Sequence, residues 1–317
     1  MNTSSAHDKS PYFSSCGGLW IDRYDWAERL DHKRASGEIT PQEAEDLRFY
    51  IGQGYLIFPQ AVPRTTADAY LAYFDRIWID PPPNVWVIHQ HKVKALDPAM
   101  IDDVAKVADL HYYFPHAASI VYPPRVRRFL EILYERTPVI FQSMTTRKGT
   151  EEVLHQDTGP LALTEPMSLT ASWLALEDVT PGSGELQFIP GSHRVPEKLI
   201  DGRTKYHNGD MQKYHEVLEF ARAGCRARGL EVKTFLAKKG DVLIWAADLL
   251  HGGLPIADPT LTRKSLICHF MPYGAKPLFY DAANVGYVDY GDGGYGLDRF
   301  DARLVAAYNA RQPSLPS

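Results

Sequence analysis

A change of hydrophobic period near Val139 constrains the fold of this chain more than any other feature. From there, short runs rich in β-branched and aromatic residues follow one another at 139–146, 153–156, 168–176, 186–189, 232–236, 241–245 and 264–271, bounded by Gly, Pro or Asp. Runs of this length and composition suit a pleated, half-buried surface and predict strands. Many short strands with no break between them predict one sandwich or barrel rather than two domains.

Before Val139 the spacing is helical. Trp26, Ala27 and Leu30 share one face of a short helix. Thr40 caps a second helix, with Pro41 as its first residue, Ala44, Leu47 and Ile51 as its buried stripe, and its end near Gly52 and Gly54. Ala67, Tyr70, Tyr73, Phe74, Ile77 and Trp78 mark a third, stopped by Pro81, Pro82 and Pro83. The expected fold class is therefore mainly β with flanking helices, a jelly roll buttressed on one side. Its parts are a Ser- and Gly-rich flexible arm at 1–18 and a single domain over 19–317. The domain divides into a helical buttress (19–136), a jelly-roll core (137–272) and a C-terminal loop and helix (273–317).

Two segments interrupt this plan. Within 194–230, Met211, Tyr214, Leu218, Ala221 and Cys225 recur at helical spacing, so a helix there either covers the outside of the barrel or forms a lid beside the site. Over 284–298, five glycines interleave with Tyr287, Tyr290 and Tyr295, which reads as a mobile loop over the surface or over a site mouth. A short helix over about 299–310 is expected to follow.

Composition excludes several classes of function. The 317 residues are 44% hydrophobic, enough for a large core, and the net charge of −5 with no long Lys/Arg run gives no footprint for nucleic acid. Cys16, Cys225 and Cys268 are too few and scattered for a disulfide framework, and no CxxC zinc spacing occurs. The polar start does not read as a secretory signal, and no apolar stretch approaches the roughly 20 residues of a membrane span. A cytoplasmic protein acting on a small molecule, away from membranes, is expected.

His155-Gln156-Asp157 carries the chemistry. On a strand, His155 and Asp157 point to one face while Gln156 points away. With one distant His they make the two-histidine, one-carboxylate set that holds non-haem Fe(II) with positions left open, and the lack of thiolates argues against structural zinc. Alone, the pair can arise by chance in a chain with 12 His. The second half adds weight: Gly240-Asp241 forms a turn, 242–245 a strand, and His251 starts a loop with Gly252 and Gly253 at a barrel rim. Arg263 opens the next strand, where its guanidinium can clamp a carboxylate with two parallel hydrogen bonds.

These residues resemble the phytanoyl-CoA dioxygenase family of Fe(II)/2-oxoglutarate oxygenases. The resemblance runs from Phe141 to Pro272 through His155-Gln156-Asp157, Ser172-Trp173-Leu174-Ala175-Leu176-Glu177-Asp178, Gly184-Glu185-Leu186, Ile189-Pro190-Gly191-Ser192-His193-Arg194, Gly240-Asp241, His251 and Arg263. It implies a double-stranded β-helix of the cupin type, with iron on His155, Asp157 and His251 and the 5-carboxylate of 2-oxoglutarate on Arg263. Trp173, Gln142 and Met144 are implied as further cosubstrate contacts. The implied reaction spends O2 and 2-oxoglutarate, releases succinate and CO2, and hydroxylates an unactivated C–H of a small organic metabolite, or desaturates or cyclises it. The chain departs from the family at Gly253, where some members carry a hydroxyl residue, and in a short 147–153 loop. Asp157 is intact, which gives no support to the halogenase branch.

Other residues carry blander readings. His89 and His91 form a second i, i+2 pair without a carboxylate and read as strand residues near the substrate pocket. His193 reads as a turn residue and His269 as a core histidine or one lying behind the metal ligands. Asp248 either orients His251 or faces solvent. Two competing functions remain open: a cupin-like metalloenzyme that does not use 2-oxoglutarate, and a non-catalytic jelly-roll binding protein.

Overall fold

The computed structural model describes residues 11–90, 92–278, 286–291, 293–298 and 310. In chain order its elements are α1 (Trp26–Ala35), α2 (Pro41–Gln53), β1 (Tyr55–Phe58), α3 (Arg64–Ile77), β2 (Trp86–His89), β3 (Lys92–Ala95), β4 (Ala105–Ala108), α4 (Ala117–Val121) and α5 (Pro124–Tyr134). Then come β5 (Pro138–Thr146), β6 (Thr170–Ala175), β7 (Leu186–Phe188), α6 (Met211–Ala227), β8 (Lys233–Phe235), β9 (Val242–Ala246), β10 (His251–Gly253), β11 (Ser265–Pro272), β12 (Gly286–Asp289) and β13 (Tyr295–Asp298). No described helix is long and apolar enough to cross a membrane.

Two sheets face each other as a jelly roll. The larger runs β1-β9-β6-β11-β5-β4-β2-β3, and the smaller is β10-β7-β8. Alternation along the strands of the large sheet separates two cores. Leu174, Val242, Ile244, Leu266, Cys268 and Phe270 pack outward against the helices. Ala171, Trp173, Ala175, Leu243, Trp245 and Met271 point inward to the small sheet. Because both faces are covered, these strands read as continuous apolar runs rather than alternating ones.

A bulge in β5 is decisive for the site. His269 pairs with Gln142 and Phe270 with Ile140, so Phe141 is an extra residue. Val139 and Phe141 both join the inner core, and beyond the bulge the phase flips, as an inserted residue must make it do. Gln142 and Met144 thereby face inward. Ser143 and Thr145 face the helices, where they meet His111 Nδ1 at 2.6 Å and Tyr70 OH at 2.7 Å.

The helices start and stop as their chemistry demands. Thr40 Oγ1 accepts from Glu43 N while Glu43 returns the bond to Thr40 N, and Gly54 closes α2 at φ 78° in the left-handed region. α3 ends at Ile77 with Trp78 as its cap residue, just ahead of the prolines.

Several expectations need correction. The 19–136 region is not a purely helical buttress, because β1 adds to β9 and the β2-β3-β4 group extends the large sheet beyond β5. These strands are four residues long, too short to show a period between strong helices. Residues 153–156 form no strand; His155 alone makes a bridge, to His251. His251–Gly253, expected as a loop, is β10, paired with β7. The Gly/Tyr segment contains the hairpin β12–β13, and β13 lies parallel to β5 with its carbonyls taken by Tyr112 and Tyr122. Residues 284, 285 and 292 of that segment, and the expected helix over 299–310 apart from Ala310, lie outside the described residues. So does the 1–10 part of the arm. Residues 11–18 are docked rather than loose: Phe13 N donates to Asp22 O, and Ser14 and Ser15 bond Glu197.

The Pro190-Gly191-Ser192-His193-Arg194 turn ties the barrel to the helices. Gly191 N donates to Gln53 O, Ser192 Oγ accepts from Leu250 N, and His193 Nε2 bonds Ile51 O at 3.0 Å. Burial, helped by the Arg194 cation, pushes His193 down to about 3 from 6.5. A folded pKa below the unfolded one means that unfolded chains take up the proton first. Stability from this residue is therefore complete above pH 6.5 and lost as pH falls toward 3, at up to about 1.4 kcal/mol per pH unit. His193→Gln keeps a donor for Ile51 O and is expected to flatten that part of the acid limb relative to wild type in urea melts across the window. Identical slopes would contradict it.

Candidate metal centre and cosubstrate cavity

His155, Asp157 and His251 converge although no regular strand carries the first two. Their ligand atoms lie within 4.8 Å of one another, and among the described residues they are the one cluster fit to hold a metal ion. Asp157 Oδ1 lies 3.7 Å from His155 Nε2 and 3.7 Å from His251 Nε2. Each histidine is oriented by a carbonyl two residues back, His155 Nδ1 on Val153 O and His251 Nδ1 on Leu249 O, both at 2.9 Å. With Nδ1 as donor, each Nε2 keeps a lone pair aimed at the common centre.

Asp157 is shared in the same way. Trp245 Nε1 donates to its Oδ2 at 2.8 Å, leaving Oδ1 for the centre. Sequence reasoning missed this tryptophan, yet its parity with Leu243 on a strand covered on both faces points it inward. Burial alone would raise the Asp157 carboxyl, but His251, His269, His155 and the Trp245 donor outweigh it and hold it below the ordinary range. Burial pushes His251 down to about 4. An ionised Asp157 beside a neutral His251 is the protonation pattern a divalent metal needs.

The cavity around this cluster is lined by Met144, Thr150, Glu152, Trp173, Arg263, Ile267 and His269 among others. Arg263 is 1% exposed. Its Nη1 donates to Gly184 O at 2.8 Å, and its guanidinium sits 5.5 Å over the Trp173 ring. Burial pushes Arg263 down to about 10, which leaves it a cation at neutral pH. Arg263 Nε and Trp173 Nε1 are buried donors with no hydrogen-bond partner. Unsatisfied buried donors are costly, and both of these residues line the cavity, where a ligand or water can satisfy them. The Gly184-Glu185 motif shapes the turn, with the Glu185 carboxylate accepting from Gly182 N and Gly184 N.

Most of the residues singled out in the sequence thus meet here: His155, Asp157, His251, Arg263, Trp173 and Met144. Gln142 does not line the cavity; it faces the same side as Met144 but stands opposite His269. His269 Nε2 lies 4.0 Å from Asp157 Oδ2. His89 is on β2 and does not line the cavity; it pairs with Asp103 at 3.2 Å, and His91 lies outside the described residues. Asp248 is buried, not solvent-facing, and does not touch His251; it pairs with Lys205. A second cavity lies between the docked 11–18 segment, α2 and 193–197, and its Arg194 and Lys205 are already paired with Asp22 and Asp248.

Three glycines let the surroundings close on the metal ligands. A Cβ on Gly252 would lie 2.4 Å from Glu152 O, so only glycine lets the short 147–153 loop rest on β10. Thr150 Oγ1 comes within 3.0 Å of where a Gly253 Cβ would stand. Gly159 likewise accommodates the Tyr214 ring of α6, which a Cβ would meet at 2.0 Å. Tyr214 OH then donates to Gln156 O at 2.7 Å, and Arg222 Nη2 donates to Leu154 O. α6 therefore braces the segment carrying His155 and Asp157 from behind, and none of its residues lines the cavity.

The comparisons with known proteins agree with this geometry. The sequence model of the family described as Phytanoyl-CoA dioxygenase (PhyH) matches residues 50–263. The Oryza sativa subsp. japonica protein Phytanoyl-CoA dioxygenase 1 is 31% identical over 166 residues, covering 50% of this chain and 54% of that protein, about half its length. The non-heme alpha ketoglutarate dependent carbocyclase SnoK from nogalamycin biosynthesis superposes with TM-score 0.57 at 18% identity, covering 78% of this chain and 90% of its own. EctD from S. alaskensis with 2-oxoglutarate and 5-hydroxyectoine superposes with TM-score 0.51 at 18% identity, covering 74% and 76%. Likenesses at this identity carry the fold.

Proposed function

The chain belongs to the phytanoyl-CoA dioxygenase family, and from that premise we propose that it is an Fe(II)- and 2-oxoglutarate-dependent oxygenase acting on a small organic metabolite. The observation that carries the reading is one cavity holding both a convergent His-Asp-His cluster and a buried arginine with a free donor. His155, Asp157 and His251 hold the iron, which when bound supplies the O2 and oxidation chemistry that side chains lack.

The protein's own residues bind, orient and shield. Arg263 takes the 5-carboxylate of 2-oxoglutarate, stacked on Trp173 and offering the Nε–H that has no partner. Thr150 offers beside Gly253 the hydroxyl that some members carry at that position. Met144 and Ile267 form the apolar wall, and Gln142 stands across the strand pair from His269, which lines the cavity. The Glu152 carboxylate in this anion-binding cavity is offset by Lys106, its salt-bridge partner.

Hydroxylation of an unactivated C–H is the expected outcome, with desaturation and ring closure open to the same oxidant. The free thiols of Cys16, Cys225 and Cys268 suit a cytoplasmic setting. Screening candidate metabolites for succinate release in the presence of Fe(II), O2 and 2-oxoglutarate tests the reading. At least one compound should raise succinate above the uncoupled level with one oxidised product per succinate. Binding of such compounds with no oxidised product would favour a non-catalytic role.

A further inference from the structure

Lys205, on the 194–230 insertion, and Asp248 form a buried ion pair, 8% and 3% exposed, and neither lines the metal cavity. Asp248 grips the metal-ligand segment on both sides of Asp157. Its Oδ1 accepts from Thr158 Oγ1 at 2.5 Å, and its backbone O accepts from Gln156 Nε2 at 2.7 Å. Between them Asp157 N donates to Ala247 O at 3.0 Å. Lys205 occupies the second carboxylate oxygen and lies 3.3 Å from Glu197, whose carboxylate accepts from Ser14 Oγ, Ser15 N and Ser15 Oγ of the docked 11–18 segment.

These bonds matter because Asp157 lies outside any strand ladder. A metal site tolerates placement errors of only about 0.5 Å in its ligands, and the one ladder-like contact here is the bridge at His155. Without further ties, Asp157 could swing with the turn that follows it. Asp248 precedes His251 by three residues, so a tie from it fixes the carboxylate ligand against the distal histidine itself.

We propose that Asp248, salt-bridged to Lys205, is a positioning residue that sets the spacing between Asp157 and His251 through Thr158 and Gln156. The inference rests on the metal-site reading above. It gives the insertion a role in addition to the Tyr214 and Arg222 brace: it delivers the cation that holds the clamp. Removing a buried partner outright would strand the other charge and confuse positioning with stability. The informative changes therefore remove one uncharged side-chain donor each and leave the ion pair whole.

The test is Co(II) titration of metal-free, full-length protein, read by visible absorption, with thermal melts of the same samples. Thr158→Val and Gln156→Met are each expected to weaken Co(II) binding by about 10- to 100-fold, the usual cost of losing a group that orients a ligand. Thr158→Ser should restore the wild-type affinity. Should Thr158→Val not fold, Gln156→Met carries the same comparison. Variants that melt earlier yet bind Co(II) as tightly as wild type would overturn the inference and leave the metal site standing. A wild type that binds no Co(II) would contradict the metal site itself, and the inference with it.

Discussion

His155→Ala is expected to bring succinate release and substrate oxidation down to background while leaving the fold intact. The imidazole is 19% exposed and anchored by a single bond to Val153 O, and the bridge to His251 uses only backbone atoms. Alanine therefore removes one of three protein ligands without opening a cavity in either core. The other two ligands cannot make up the loss, because Asp157 and His251 are pinned by Trp245 and Leu249. Melts of the metal-free variant should overlay those of wild type, and the stabilisation that wild type gains from Fe(II) should vanish. Wild-type turnover in this variant would refute the assignment of the ligand.

Arg263→Met is expected to raise the KM for 2-oxoglutarate by about 100- to 1,000-fold. Two charge-assisted hydrogen bonds to a carboxylate contribute about 3–4 kcal/mol together, and each 1.4 kcal/mol is tenfold. The stability of the free protein should move the other way or not at all. Arg263 is a buried cation held by a hydrogen bond to Gly184 O, with its Nε unsatisfied, and replacing such a charge by an apolar chain of similar length is often neutral or stabilising. Methionine should thus melt no earlier than wild type without cosubstrate and gain nothing when 2-oxoglutarate is added. Arg263→Lys should rescue only part of the affinity, since an ammonium cannot reproduce the planar fork. A KM near wild type in the methionine variant would place the carboxylate elsewhere.

Much of the candidate site was legible because its residues lie at strand ends, where parity and turn chemistry survive in sequence. His251 after the Gly240-Asp241 turn and its strand, and Arg263 just ahead of β11, are of this kind. The pair His155 and Asp157 was found by a spacing argument whose premise does not hold in its strict form, since they sit on a bridge and a turn. The alternation still works locally, because Gln156 is drawn the other way by Asp248. What stayed hidden depends on long-range contact. The β5 bulge inverts the face that Gln142 and Met144 present, and nothing in Val139–Thr146 announces it. The Asp248–Lys205 pair joins residues on either side of α6. Tyrosines from the helical region take up the carbonyls of a glycine-rich hairpin that read as mobile, giving it a place beside β5.

The reading turns on whether this cavity holds iron and a keto acid together. Anaerobic addition of Fe(II) and 2-oxoglutarate to the metal-free protein, followed in the visible region, tests this most directly. A charge-transfer band that needs both additions, and that His155→Ala abolishes, is the predicted result. No band at saturating Fe(II) and 2-oxoglutarate, together with no succinate once air is admitted, would contradict it.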